Sequence, residues 1–186
     1  MQNLQSNVGM ILKEISFVFS DIDESQVKAL SDAIMRSEKI VVCGAGRVGM
    51  AARGFAMRLG HLGLKAYCLG DATVPSIGTG DLFLVSSGSG ETQTIYDLVV
   101  RAKENNATIV LVTGNPDSRM GRLADSIVVI KAPSKTKPVN NFQSIQPMTT
   151  LNEQSVGIFF DALILCLMER KGETHETMWA RHSNLE

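Results

Sequence analysis

Residues 86–92 read Ser-Ser-Gly-Ser-Gly-Glu-Thr, between the apolar run Asp81-Leu-Phe-Leu-Val85 and a segment with helical spacing, Gln93 to Glu104. This stretch, the Ser/Gly loop, therefore joins a strand to the start of a helix. Gly88 and Gly90 allow a close backbone approach to a ligand, and N–H groups at a helix start favour an anion. Because the loop contains no lysine, it predicts a site for a phosphate that is held rather than transferred. The alternative is a flexible loop with a threonine helix cap.

The composition excludes several classes of protein. The chain has 186 residues, of which 44% are hydrophobic and 20% charged, and its net charge is −1. These values are typical of one globular domain with a full core. They do not favour a nucleic-acid partner. No apolar run reaches the roughly 18 residues of a membrane span, and the first residues lack the pattern of a signal peptide. We therefore expect a cytoplasmic protein with no membrane or nucleic-acid partner.

The three cysteines, Cys43, Cys68 and Cys166, lie in predicted strands or in an apolar helix. Buried free thiols are the favoured interpretation and agree with a reducing cytoplasm. Neither a Cys-x-x-Cys pair nor a histidine cluster is present, so no metal site is predicted.

Strands and helices alternate along the chain after an amino-terminal helical segment, residues 1–37. This alternation predicts an α/β fold with a parallel sheet of five strands and helices on both faces, a three-layer αβα sandwich. We expect a single domain over residues 1–186 that ends with helices in residues 151–181. Strands are predicted at 39–43, 65–69, 81–85, 108–113 and 126–130, and helices at 8–19, 24–37, 47–62, 93–104, 118–123, 151–170 and 173–181.

A long connection and an unusual helix follow the last strand. The connection, Lys131 to Thr150, contains three prolines, and connections of this length are often functional. The helix at 151–170 is apolar almost all round, which predicts burial, including burial between subunits.

The first glycine-rich turn of the chain, residues 44–49, suggests another type of ligand. Gly44-Ala-Gly-Arg-Val-Gly49 matches the dinucleotide fingerprint after a strand, and Asp71 follows at a suitable distance. A dinucleotide would not need a second phosphate-type loop, and the chain leaves no room for a separate catalytic domain. Tight strand–helix packing is the alternative explanation of these glycines. Arg47, at the start of the next helix, would face the same crevice as the Ser/Gly loop, or would be an ordinary solvated residue.

Six stretches of the chain together resemble 6-phospho-3-hexuloisomerase, a family of enzymes built on the SIS (sugar isomerase) domain. The resemblance runs from about residue 5 to the carboxyl terminus. SIS domains in general share the Ser/Gly loop, whereas the run 55–63 and the ending His-x-Asn-Leu are much more specific to this one family. The six stretches are Gly44-Ala-Gly-Arg47, Arg53 to Gly63, the Ser/Gly loop, Gln146-Pro-Met148, Asn152-Glu-Gln-Ser155 and Arg181 to Glu186.

The resemblance implies an activity and an assembly. The family interconverts hex-3-ulose 6-phosphate and fructose 6-phosphate through an enediol, without a cofactor. It is a homotetramer with a five-stranded parallel sheet of the Rossmann-like or flavodoxin-like type, so a phosphorylated ketose substrate and sites near subunit interfaces are expected. Three residues depart from the family pattern: Val48 stands where many members have serine, Thr149 where glycine is usual, and Asn152 where an aromatic residue is common.

The resemblance also assigns roles to residues. Glu153 is expected to be the general base, Arg47 to stabilise the enediolate, and His182 to serve the sugar oxygens or open the ring. The alternatives are a helix-capping glutamate for Glu153, a solvated tail for His182, and a core or interface histidine for His61. The expected residues for binding substrate and phosphate are Gly44, Gly46, Ser86, Ser87, Gly88, Ser89, Gly90, Glu91, Thr92 and His61.

Two other functions compete with this interpretation. One is a different phosphosugar aldose–ketose isomerase, for example one acting on arabinose 5-phosphate. The other is a non-catalytic sugar-phosphate-binding module. The second is disfavoured because residues 1–37 are too short and too weakly charged to form an additional DNA-binding domain.

Overall fold

The computed structural model describes residues 3–133 and 142–185. At its centre is a sheet of five parallel strands in the order β2-β1-β3-β4-β5. The strands are β1 (Ile40–Gly44), β2 (Ala66–Cys68), β3 (Leu82–Ser86), β4 (Thr108–Thr113) and β5 (Ser126–Val129). The helices are α1 (Leu4–Phe19), α2 (Glu24–Arg36), α3 (Gly46–His61), α4 (Gln93–Glu104), α5 (Thr150–Lys171) and α6 (His175–Trp179).

The central strands are apolar along their whole length because helices cover both faces of the sheet. In β1, Ile40 and Val42 belong to a core shared with α1, α2, α3 and α5. The alternate residues Val41 and Cys43 belong to a second core on the opposite face, shared with α4. The three-layer αβα sandwich predicted from the alternation of elements is therefore confirmed.

The strand order reverses between β1 and β3, which are neighbours in the sheet. Their paired Cα atoms run from Ile40 and Leu82 to Gly44 and Ser86. In open parallel sheets, ligands bind in the crevice beyond the carboxyl ends of the strands at such a reversal. Both glycine-rich turns leave the sheet at this edge.

Residues 118–123, for which the sequence predicts a short helix, form a series of turns instead. That prediction is wrong: the Gly121 N–H, which would close the first helical turn, donates to the Ser118 side chain at 3.2 Å instead. The segment is also bound to the Ser/Gly loop. The N–H of Arg119 donates to the Glu91 carboxylate at 2.9 Å, and the N–H of Met120 donates to the Gly90 carbonyl at 3.3 Å.

Helix α5 is long and apolar enough to cross a bilayer by length and composition, with a mean hydropathy of 1.4 over its best window. However, half of that window is buried inside the domain. Phe160 stacks on Phe55 of α3 with ring centroids 4.4 Å apart, so α5 is a core helix. Its outer face nevertheless exposes Ile158 and Leu165.

The segment that leads into α5 is anchored by Glu14 of α1. The Glu14 carboxylate accepts hydrogen bonds from Ser144 Oγ, the Ile145 N–H and Gln146 Nε2. Burial alone would raise the pKa of Glu14, but these three hydrogen bonds outweigh it and the pKa lies below its ordinary value. The end of the long connection therefore has a defined position, while residues 134–141 lie outside the described part.

Candidate active site

A pocket of about 230 Å³ opens beyond the carboxyl ends of β1 and β3, where the reversal of strand order predicts a ligand site. Most of its lining comes from the first glycine-rich turn, the Ser/Gly loop and the start of α5. The lining residues are Ala45, Gly46, Arg47, Val48, Ser86, Ser87, Gly88, Ser89, Thr92, Thr149, Asn152 and Glu153.

Three helices begin at this pocket, and all three lack a side-chain cap. Helix α3 follows Ala45, α4 follows Thr92 and α5 follows Thr149, and none of these residues makes a capping hydrogen bond. In contrast, α1, α2 and α6 are each capped by the side chain of their N-cap residue. The uncapped N–H groups and the positive ends of three helix dipoles favour an anion at the pocket.

The Ser/Gly loop offers further donors. The N–H groups of Gly88, Ser89 and Thr92 have no acceptor within residues 3–133 and 142–185. Ser87 Oγ accepts a hydrogen bond from the Gly90 N–H at 3.1 Å, so its own hydroxyl hydrogen is available to a ligand. This arrangement is typical of a phosphate cradle.

Glycine is required in the loop for steric reasons. Gly90 has a φ of +66°, and a Cβ there would lie 2.5 Å from Ser118 Cβ. At Gly88, a Cβ would lie 2.5 Å from Asn152 Oδ1. The loop therefore packs closely against the turn that contains Ser118 on one side and the start of α5 on the other.

The first glycine-rich turn serves strand–helix packing. A Cβ on Gly49 would lie 2.5 Å from the Gly44 carbonyl oxygen, so the end of β1 and the start of α3 are in backbone contact. Gly44 does not line the pocket, whereas Gly46 does and has a φ of +60°. Asp71, the acidic residue of the dinucleotide interpretation, pairs with Arg53 at 2.5 Å.

Glu153 and Arg47 form an ion pair in the pocket, with Arg47 Nη1 2.9 Å from Glu153 Oε2. The other carboxylate oxygen, Oε1, accepts a hydrogen bond from Thr149 Oγ1 at 2.8 Å. The Glu153 side chain is only 17% exposed. A carboxylate held in this way, beside a cation, can act as a base while the cation stabilises developing negative charge.

Thr149 and Asn152 line the pocket but are not among the residues predicted for the site. Thr149 lies four residues before Glu153 at the start of a helix, a spacing that brings side chains together. Asn152 is 1% exposed, and neither of its amide atoms has a hydrogen-bond partner in the described residues; the same is true of Ser86 Oγ. The closeness of Thr149 and Asn152 to Glu153 in the sequence was the signal that could have identified both as site residues.

His61 and His182 lie together, away from this pocket. Their ring centroids are 5.2 Å apart, and His182 also stacks on Trp179 at 5.0 Å. Burial, together with the nearby Arg58 and His182 charges, lowers the pKa of His61. The helical span from Arg47 to His61 covers about 21 Å of α3. Within one chain, the two histidines are therefore at the far end of α3 from Arg47.

Glu91 makes contacts outside the pocket lining. Its carboxylate accepts hydrogen bonds from the backbone N–H and from Nε of Arg119 at 2.9 and 2.8 Å. Both bonds lower the pKa of Glu91, and the bond from the Arg119 backbone N–H has the larger effect. The geometry makes Glu91 a link between the Ser/Gly loop and the neighbouring turns. Among residues 3–133 and 142–185, no group of three His, Cys, Asp or Glu side chains could hold a metal ion.

Known proteins share this fold and part of this sequence. Residues 33–157 match the SIS domain. The chain is 39% identical over 179 residues to the 3-hexulose-6-phosphate isomerase of Bacillus subtilis strain 168, with 96% of this chain and 97% of that protein covered. It is 36% identical over 184 residues to the 3-hexulose-6-phosphate isomerase of Mycobacterium gastri, with 99% and 92% covered.

The fold comparison agrees. A crystal structure of a hypothetical protein from Methanococcus jannaschii, from which a function as 3-hexulose-6-phosphate isomerase was inferred, superposes with a TM-score of 0.84. The two chains are 29% identical, and the match covers 97% of this chain and 99% of that one. These matches confirm the family predicted from the motifs. The chain therefore belongs to the SIS-domain family and, within it, to the family of the 3-hexulose-6-phosphate isomerases.

Proposed function

We propose that this protein is an isomerase that interconverts D-arabino-hex-3-ulose 6-phosphate and D-fructose 6-phosphate through an enediol intermediate. The observation that carries the proposal is the ion pair of Glu153 and Arg47 in a pocket that the Ser/Gly loop also lines. The same pocket thus combines a carboxylate and a cation with a cradle for phosphate. The whole chain acts as one SIS domain, since α1, α2 and α5 share the core of α3.

The reaction moves a carbonyl group from C3 to C2 of the sugar. Glu153 removes the proton from C2, and the electrons of the broken C–H bond form the C2–C3 double bond while negative charge develops on O3. A proton then passes between the two oxygens, and Glu153 returns its proton to C3 as the C2 carbonyl forms. One carboxylate can perform both transfers because C2 and C3 are adjacent.

Arg47 and Thr149 have different tasks in this scheme. Arg47 pairs with Glu153 at 2.9 Å and places its charge beside the carbons where the enediolate forms. Thr149 donates to Oε1 of Glu153 and fixes the orientation of the carboxylate. The phosphate of the substrate binds the free N–H groups of the Ser/Gly loop. This contact fixes the orientation of the sugar chain in the pocket.

Removing loop hydroxyls is expected to weaken phosphate binding. The double variant Ser87→Ala, Ser89→Ala loses hydroxyl donors worth roughly 1 kcal/mol or more each to a charged partner. The KM for hexulose 6-phosphate and the inhibition constant of inorganic phosphate should both rise about tenfold or more. Initial-rate kinetics measure both constants. Ser37→Ala, which removes a hydroxyl at the end of α2, is the matched control, and an unchanged phosphate constant in the double variant would contradict the assignment.

In the proposed assembly, His182 of one subunit contributes to the active site of a neighbouring subunit. Within one chain it lies at the far end of α3 from Arg47, so we propose that the His182 serving each Glu153 comes from a neighbouring subunit of a homotetramer. Exposed apolar side chains support an assembly, since Met50 and Met57 of α3 and Leu165 of α5 are all more than half exposed. His182 then serves the sugar oxygens or opens the ring.

Mixed assemblies test the shared site. A preparation in which Glu153→Gln and His182→Ala chains are co-expressed should exceed the mean specific activity of the two parent variants, because some sites then receive both native residues. Light scattering at micromolar concentration should report an oligomer for the native chain. A fully active monomer, or a mixed preparation no better than the mean of its parents, would exclude the shared site.

The choice of substrate is tested directly by isomerase assays. Hexulose 6-phosphate should be converted to fructose 6-phosphate much faster than arabinose 5-phosphate or glucosamine 6-phosphate is isomerised. A preference for one of the other two would favour a different phosphosugar isomerase. Binding of all three without turnover would indicate a non-catalytic sugar-phosphate module.

The thiols fit the proposed cytoplasmic location. Cys43, Cys68 and Cys166 are all free. Cys43 and Cys68 are buried as predicted, but the prediction of burial is wrong for Cys166, which is exposed, and an exposed free thiol is suited to a reducing compartment. Burial raises the pKa of the Cys43 thiol to about 11, which keeps that residue protonated and unreactive.

A further inference from the structure

Asn152 is a buried polar side chain whose hydrogen-bonding capacity is unused. It lines the pocket, it is 1% exposed, and neither Oδ1 nor Nδ2 has a partner among the described residues. An amide carries two donors and one strong acceptor, and leaving them unmatched inside a protein is unfavourable. The same pocket wall contains Ser86 Oγ, which is also buried without a partner.

The position of Asn152 relates it to both ends of the proposed substrate. A Cβ on Gly88 would lie 2.5 Å from Asn152 Oδ1, so the amide directly adjoins the Ser/Gly loop that holds the phosphate. The next residue in the chain is Glu153, which acts on C2 and C3. Between the phosphate on C6 and these carbons, the hexulose carries two hydroxyl groups, on C4 and C5. Asn152 is therefore placed beside the middle of the substrate.

We infer that Asn152 binds the sugar itself, through a hydrogen bond between its side-chain amide and the hydroxyl on C4 or C5. A hydroxyl group both donates and accepts, which matches the two unpartnered atoms of the amide. Gly88 has no side chain, so only loop backbone lies against Asn152 Oδ1, and Asn152 still lines the pocket. Asn152 thereby selects a hydroxylated carbon chain, a selection that the phosphate cradle alone does not provide. This inference rests on the proposed function for the identity of the two substrate ends.

The test separates binding of the sugar from binding of the phosphate. Titration calorimetry would compare three ligands: hexitol 6-phosphate, which has hydroxyls along its chain; n-hexyl phosphate, which has none; and inorganic phosphate. Asn152→Ala and Asn152→Leu should each weaken hexitol 6-phosphate about tenfold, the loss of one hydrogen bond. Both variants should bind n-hexyl phosphate and inorganic phosphate within about twofold of the native protein.

A control variant and a second measurement guard against misfolding. Ser155→Ala removes another buried, unpartnered hydroxyl from α5, but Ser155 does not line the pocket, so all three affinities should stay unchanged. Thermal unfolding followed by circular dichroism shows which Asn152 variant is folded. Asn152→Leu keeps the branched shape if the smaller alanine does not support the fold.

The outcomes are distinct. If an Asn152 variant binds hexitol 6-phosphate as tightly as the native protein does, Asn152 does not contact the sugar. If it loses affinity for all three ligands equally, Asn152 only supports the Ser/Gly loop, and the inference is again wrong. Both results leave the proposed function intact when the native protein converts hexulose 6-phosphate. If the native protein lacks that activity, the proposed function is contradicted instead, whatever the relative affinities for the three ligands.

Discussion

Replacing Glu153 by glutamine is expected to lower kcat for hexulose 6-phosphate by about 10² to 10⁴, the usual loss when a general base is removed. Glutamine preserves the shape and can still accept the hydrogen bond from Thr149, so substrate binding should largely remain. The ion pair with Arg47, at 2.9 Å, is lost. Because the change removes proton transfer rather than the pocket, KM should change much less than kcat.

Deuterium exchange identifies the step that fails. In D₂O, the proton held by Glu153 exchanges with solvent before it returns, so the native enzyme should introduce deuterium at C3 of fructose 6-phosphate. Glu153→Gln should nearly abolish this exchange as measured by NMR. Glu169→Gln, the same substitution at an exposed position of α5, is the matched control and should behave as the native enzyme does. If Glu153→Gln exchanged and turned over within a few-fold of the native enzyme, a different group would be the base.

Gly90→Ala is the second substitution with a large expected effect. The alanine would have to adopt a φ of +66° and place its Cβ 2.5 Å from Ser118 Cβ. Strain in the left-handed region and overpacking together should destabilise the native state by about 2–4 kcal/mol. The displaced loop should also bind phosphate more weakly, with KM raised at least about tenfold.

Urea unfolding at a fixed protein concentration measures the loss of stability. Gly9→Ala in α1 is the matched control, because a Cβ there meets nothing within 4 Å and alanine should stabilise the helix by about 0.5–1 kcal/mol. Adding Ser118→Gly to Gly90→Ala should recover the overpacking part and leave the backbone strain. A Gly90→Ala protein as stable as the native protein would show that the loop adapts and that its geometry is not strict.

Local pattern was sufficient for most of the architecture. The helix cap at Asp23, whose carboxylate accepts the Ser25 N–H at the start of α2, is a local signal of this kind. The spacing of apolar residues in α1 and α4 and the apolar runs of β1 and β3 likewise determine hydrogen bonding and burial within a few residues of the chain. The strand–loop–helix context of the Ser/Gly loop likewise predicted the pocket edge, because the carboxyl ends of parallel strands meet there. The family of the protein followed from short motifs, which are also local.

Contacts between distant residues were not predictable in this way. Residues 118–123 were expected to be helical, but their N–H groups bind Glu91 and the Gly90 carbonyl, about thirty residues earlier in the chain. Only the folded chain brings these two acceptors within reach of the segment.

The difference between what local sequence determines and what tertiary structure decides is clearest at the candidate active site. The sequence by itself determined that a serine- and glycine-rich loop, an acidic helix start and an arginine at a glycine-rich turn exist, since each depends on neighbouring residues. Only the tertiary structure decided that Arg47 and Glu153 form an ion pair, that Asn152 is buried without partners against Gly88, and that His182 lies beside His61. The physical reason is that distances between residues 64 to 121 positions apart are set by how the helices pack on the sheet, which no local spacing encodes.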